Sequence, residues 1–235
     1  MSTINIDGIR GILLDIEGTT TPIAFVHDVL FSYARTHVRD YLAKHVDDEA
    51  VQSDIRLLSD DAKSEGFHAN NIDEIVAHIN RLIDLDRKST GLKSLQGKIW
   101  HEGYADGSLR AHVFADVAPA LMRWRAANKN VSIFSSGSVL AQQLLFAHTE
   151  AGDLTPFIDH YFDTSVGKKG EAESYRRIVE AIKLQPNEIL FVSDIVAELA
   201  AAREAGMKTA LSIRPGNQPQ DSRYEFPTIY SFDEL

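Results

Sequence analysis

Ile12-Leu13-Leu14-Asp15-Ile16-Glu17-Gly18-Thr19-Thr20 decides how this chain folds. A short apolar run that stops at a carboxylate and then meets glycine and small hydroxyl residues reads as a buried strand entering a turn. In an open α/β sheet, ligands lie at the carboxyl ends of the strands. That places Asp15 and Glu17 in a site. Alternate residues of an extended chain share a face, so both carboxylates can address one ligand. One is suited to attack and the other to move a proton, the division of labour between a carboxylate nucleophile and a general acid/base.

The chain around this stretch divides into two kinds of pattern. From about His27 to Asp106 it is helical. Val29, Leu30, Tyr33, Val38, Tyr41 and Leu42 fall on helical spacing, as do Val51, Ile55 and Leu58, and then Ile72, Ile75, Val76, Ile79, Leu82 and Ile83. Three or four helices fit there. From Val113 onward the chain alternates. Helices are predicted over Val117–Lys129, Val139–His148, Glu171–Leu184 and Val196–Ala205. Strands are predicted over Val131–Phe134, Ile158–Phe162, Ile189–Val192 and Thr209–Ile213. Strands alternating with helices mean βαβ units and a parallel sheet. The predicted fold is therefore α/β, with a Rossmann-like parallel-sheet core over residues 1–24 and 108–235. An all-helical domain, residues 25–107, is inserted after the first strand. An insertion there would hang over the strand ends as a lid able to exclude water and select substrate.

Composition narrows the function. The 235 residues include 24 basic and 34 acidic side chains, a net charge of −10. This argues against a broad nucleic-acid surface, which needs a basic patch. It leaves room for a small anionic substrate, because a bound cation inverts the local field. The absence of cysteine excludes disulfides, thiolate metal sites and cysteine nucleophiles. The N-terminus lacks the basic and apolar regions of a signal peptide. No apolar run approaches the ~20 residues of a membrane span. The expectation is a cytoplasmic, monomeric protein without nucleic-acid or membrane partners.

Four segments follow predicted strands directly. Asp15 and Glu17 come first. Ser135-Ser136-Gly137-Ser138 comes next, with hydroxyls and N–H groups ahead of a helix, suited to cradle phosphate. Lys168-Lys169 is third, a point charge for phosphate. Ser193-Asp194 is fourth, where Asp194 could complete a magnesium site with Asp15. Magnesium favours oxygen ligands and keeps one or two carboxylates, several waters and a substrate phosphate. Each has a plainer reading. The serines make an ordinary turn and N-cap, the lysines a solvated face, and Asp194 a cap for the next helix with Glu198 helping its dipole. The joint order of nucleophile, hydroxyl, lysine and acid, each at a strand end, favours the chemical reading.

That order resembles the haloacid dehalogenase-like hydrolase superfamily, whose phosphatases carry Asp-x-Asp-x-Thr, a Ser/Thr, a Lys and a late acid. Here the positions read Asp15-Ile16-Glu17-Gly18-Thr19, Ser135, Lys169 and Asp194. The second acid is Glu17 rather than Asp. With Ile99–Tyr104, His112–Ala120, Phe134–Val139 and Ser193–Ala202, the whole chain is similar to the enolase-phosphatase (acireductone synthase) family of methionine salvage. The resemblance implies a fold of the haloacid dehalogenase type with a helical cap. It implies one Mg²⁺ per subunit held by Asp15, Asp194 and the Glu17 backbone carbonyl. It also implies catalysis by Asp15 and Glu17, with Ser135, Ser136 and Lys169 on the phosphate. The expected substrate is a small phosphorylated diketone, 2,3-diketo-5-methylthiopentyl 1-phosphate, enolised and then dephosphorylated through an aspartyl phosphate. A phosphatase of the same superfamily acting on another small sugar phosphate is the alternative.

Overall fold

The computed structural model describes residues 4–61, 71–85, 87, 89–219 and 225–235. Contacts divide the chain into two compact units, Met1–Val26 with Arg110–Leu235, and His27–Leu109.

Among the described residues the first unit is built on six strands: β1 (Gly11–Leu14), β2 (Asn130–Phe134), β3 (His160–Phe162), β4 (Ile189–Ser193), β5 (Lys208–Ser212) and β6 (Thr228–Ile229). They form one sheet in the order β3-β2-β1-β4-β5-β6, and every neighbouring pair is parallel. β1 and β4 are buried at every residue. Central strands of a parallel sheet are covered on both faces, which is why they read as unbroken apolar runs. The helices flanking the sheet are α5 (Val117–Ala126), α6 (Val139–Ala147), α7 (Ala172–Ile182) and α8 (Val196–Glu204). Leu13, Phe134, Tyr175, Ile178, Phe191 and Leu199, none more than 1% exposed, centre its core. The strand order puts the loops leaving β1, β2 and β4 side by side.

The second unit contains α1 (Ser32–His45), α2 (Glu49–Asp61), α3 (Ile72–Asp84) and α4 (Thr90–Asp106). Its core joins Val38, Leu42, Leu58, Ile79, Leu95 and Ile99. α2 and α4 approach closely at Gly91, where a Cβ would lie 2.7 Å from the Asp54 carbonyl and 3.0 Å from Leu58. The buried Asp54 carboxylate of α2 pairs with Lys98 of α4. Among the described residues no helix is long and apolar enough to cross a membrane.

The structure departs from the sequence reading in local detail. A π-helix, Phe25–Phe31, runs into α1. Its Leu30 carbonyl accepts the Trp100 indole N–H at 2.8 Å. The wider turn buries Leu30 and leaves Val29 41% exposed, although both lie on the apolar helical spacing. α5 stops at Ala126 because Asn128 takes a left-handed φ of 55°. β3 begins at His160, with Ile158 closing the preceding turn and Asp159 outside the strand. β6 is an addition to the predicted strands, since its two residues are too few to show alternation.

Gly91→Ala tests the α2–α4 contact. Alanine improves helix propensity by at most about 1 kcal/mol, whereas forcing a methyl into packed backbone costs about 1–3 kcal/mol. Net destabilisation is expected in urea unfolding. A variant as stable as its parent would show that the helices separate without cost.

Candidate active site

The site begins where β1 ends. The Asp15 N–H donates to the Val192 carbonyl at 3.0 Å, extending the β1–β4 ladder by one residue. The chain then turns sharply. The N–H groups of Thr19, Thr20 and Thr21 all point to the Ile16 carbonyl at 2.9–3.2 Å. The Thr20 hydroxyl reaches the Asp15 and Ile16 carbonyls, each at 3.3 Å. The turn needs glycine at position 18, where φ is +72° and a Cβ would collide with the Asp194 carboxylate. Asp15 is 4% exposed and Glu17 is partly exposed.

After β2, the Ser135 N–H donates to the Phe162 carbonyl at 3.1 Å, and its hydroxyl oxygen accepts the Gly137 N–H at 3.1 Å. Ser138 caps α6 through the Ala141 N–H. Gln142 pins this loop to β3 by donating to the carbonyls of Gly137 and Phe162. Ser136 is partly exposed on the same loop.

The two neighbouring lysines separate completely. Lys168 is exposed and pairs with Glu171 at 3.3 Å. Lys169 is buried, its backbone carbonyl accepting the Tyr175 hydroxyl at 2.8 Å. The Lys169 Nζ lies 2.5 Å from Asp15 Oδ1 and 2.7 Å from Glu198 Oε2. Burial disfavours its charge, but these two carboxylates more than offset that and raise its pKa.

Glu198 is the residue that sequence reasoning missed. It does sit in the first turn of α8, but its carboxylate turns to Lys169 and accepts the Ser193 hydroxyl at 2.9 Å. Its pKa is raised by burial and by Asp15, against the opposing pull of Lys169. The usable signal is its position four residues after Asp194, itself directly after a strand. Asp194 does not cap that helix: the N-cap is Ile195, without a side-chain bond. Burial, then the charges of Asp15 and Glu198, push the Asp194 carboxyl up to about 7.

The structure thus gathers Asp15, Lys169 and Glu198 in one bonded cluster with Asp194 charged against it, while Ser135 and Ser136 stand on the neighbouring strand end. Three carboxylates face one ammonium, an excess of two negative charges when all are ionised. That excess and an all-oxygen donor set suit a divalent cation of the magnesium type. Among the described residues no three histidine, aspartate or glutamate side chains are grouped so that they alone could hold a metal ion.

Residues 9–206 match the model of the haloacid dehalogenase-like hydrolase family. The chain is 52% identical over 233 residues to the Enolase-phosphatase E1 of Synechococcus elongatus, covering 97% of this chain and 98% of that one. It is 43% identical over 242 residues to a Vitis vinifera protein named probable bifunctional methylthioribulose-1-phosphate dehydratase/enolase-phosphatase E1 1, covering 96% of this chain and 47% of that one. The crystal structure of the Unknown transcript 4 protein of Saccharomyces cerevisiae matches with a TM-score of 0.82 at 38% identity, over 97% of this chain and 100% of that one.

The displaced Asp194 carboxyl makes metal-free stability depend on pH. Between its ordinary value of 3.8 and about 7, the folded chain holds a proton that the unfolded chain has released. The stability this group contributes is therefore lost as pH rises. In EDTA, Asp194→Asn is expected to lose less stability than its parent between about pH 5 and about pH 8, read as urea midpoints. Equal losses would show that Asp194 ionises normally.

Proposed function

The chain belongs to the haloacid dehalogenase-like hydrolases and, within them, to the enolase-phosphatases, and from that membership we propose that it is a Mg²⁺-dependent enolase-phosphatase of methionine salvage. Its substrate is 2,3-diketo-5-methylthiopentyl 1-phosphate, its intermediate the enol phosphate, and its products acireductone and phosphate. The observation that carries this reading is the buried lysine bridging Asp15 and Glu198 at the strand ends. The Vitis vinifera relative supports the substrate class, since its name joins this activity to a methylthioribulose-1-phosphate dehydratase. Dehydrating a 2-keto-3,4-diol gives, after tautomerisation, a 2,3-diketone.

In this mechanism Asp15 attacks phosphorus, and the bond from phosphorus to the substrate oxygen breaks, leaving an aspartyl phosphate. The Glu17 carboxyl donates its proton to the departing oxygen. It then takes a proton from the water that hydrolyses the acyl phosphate. Lys169 and the hydroxyls of Ser135 and Ser136 hold the phosphoryl oxygens and stabilise the charge that spreads over them. Asp15, Asp194 and the Glu17 backbone carbonyl would hold Mg²⁺, which supplies positive charge to the phosphoryl group and polarises a carbonyl as a Lewis acid. For the earlier step, a proton leaves the carbon beside the diketone and reaches the carbonyl oxygen. The extra methylene of Glu17, compared with Asp, lets its carboxylate reach that carbon.

NMR of the protein with the diketo phosphate, with and without Mg²⁺, follows enol and free phosphate together. Mg²⁺-dependent enol formation preceding phosphate release is expected. Release from simple sugar phosphates with the diketone untouched would overturn the pathway assignment and leave a general phosphatase. Asp15→Asn is expected to abolish phosphate release, and appreciable turnover by it would remove Asp15 as nucleophile. Glu17→Asp is expected to slow enolisation, and a normal enolisation rate would move the proton abstraction to another residue.

A further inference from the structure

β5 leads into a tight turn, Arg214-Pro215-Gly216-Asn217. The Asn217 N–H donates to the Arg214 carbonyl at 3.1 Å, and Gly216 has a φ of +91°. Proline second and a left-handed glycine third is the signature of a type II turn. The turn brings its first and last side chains to adjacent carbonyls of the β1 loop. Arg214 Nε donates to the Thr19 carbonyl at 3.2 Å. Asn217 Nδ2 donates to the Gly18 carbonyl at 2.9 Å.

Arg214 is 6% exposed. Its other contacts are an ion pair with Asp116 at 2.8 Å, a hydrogen bond to the Tyr230 carbonyl at 3.0 Å, and the rings of Phe114 and Phe232, 4.7 and 4.6 Å away. A buried guanidinium is costly unless it is paired and hydrogen-bonded. Here Nε is committed to a loop carbonyl two residues beyond Glu17.

A peptide unit is planar, so the Glu17 carbonyl and the Gly18 N–H turn together. The Gly18 N–H is tied to the Thr21 carbonyl at 2.8 Å. The next two carbonyls are tied by Asn217 and Arg214. Glycine at position 18 would otherwise let this segment swing, because its φ is least restricted. We propose that Arg214 and Asn217 are positioning residues for divalent-cation binding, holding the carbonyls of Thr19 and Gly18 so that the Glu17 carbonyl keeps a fixed direction as a metal ligand. The inference rests on the metal site of the proposed function.

The test is Mg²⁺ binding measured by calorimetry and by the Mg²⁺-induced rise in melting temperature. Partners that orient metal ligands from outside are typically worth about 10–100-fold in affinity. Asn217→Ala removes one donor and is expected to bind Mg²⁺ about tenfold more weakly. Arg214→Lys, which keeps a charge for Asp116 but loses Nε, is expected to do the same. Ile178→Val, buried on α7, is the control for general loss of stability and is expected to keep the parental affinity. Parental Mg²⁺ affinity in Asn217→Ala would overturn the inference alone. So would equal weakening in Ile178→Val. A parent that binds no Mg²⁺ would instead overturn the metal site itself, and this inference with it.

Discussion

One ammonium between two carboxylates sets the constraint that the rest of the first unit satisfies. Lys169 has left water, and only Asp15 on one side and Glu198 on the other make its charge tolerable there. Each partner comes from a different part of the chain: Asp15 from the end of β1, Glu198 from the first turn of α8, and Lys169 from the loop after β3. A buried pair broken on one side is strongly destabilising, because the remaining charge has no compensation. The three segments therefore depend on one another. Tyr175, packed against Phe134 and Phe191, holds the lysine backbone from behind. The sheet core thus supports the charge cluster directly.

The same cluster adds to the burial that makes an acid nearby reluctant to ionise. Burial comes first, and the charges of Asp15 and Glu198, of which Lys169 balances only one, raise the Asp194 pKa further. A site that favours incoming positive charge is also one that pays a stability cost while it waits. Functional sites commonly hold such perturbed groups.

The sequence made the architecture legible because parallel strands covered on both faces are short apolar runs, and each candidate residue stood directly after one. Asp15, Ser135 and Asp194 could be placed at strand ends without any structure. Lys169 could be placed near one, although its separation from Lys168 depends on the Tyr175 and Ser174 contacts. Glu198 was hidden because an acid in a first helical turn already has a sufficient local explanation in the helix dipole. Arg214 and Asn217 were hidden for a different reason. Their Pro-Gly turn is readable, but its target carbonyls lie almost two hundred residues away. The π-helix and β6 left no periodic trace.

The register of β1 has a consequence for how the protein is made. Gly11 pairs with Asn130 on one side and Ile189 on the other. The strand that leads to Asp15 is synthesised before either neighbour, and more than 170 residues separate it from the second. Pairings so distant in sequence form slowly, because loop closure precedes the contacts that reward it. An apolar strand with a carboxylate at its tip therefore lacks its second neighbour until Ile189 has been made, and unpaired strand edges of this kind are where partly folded chains stick to one another.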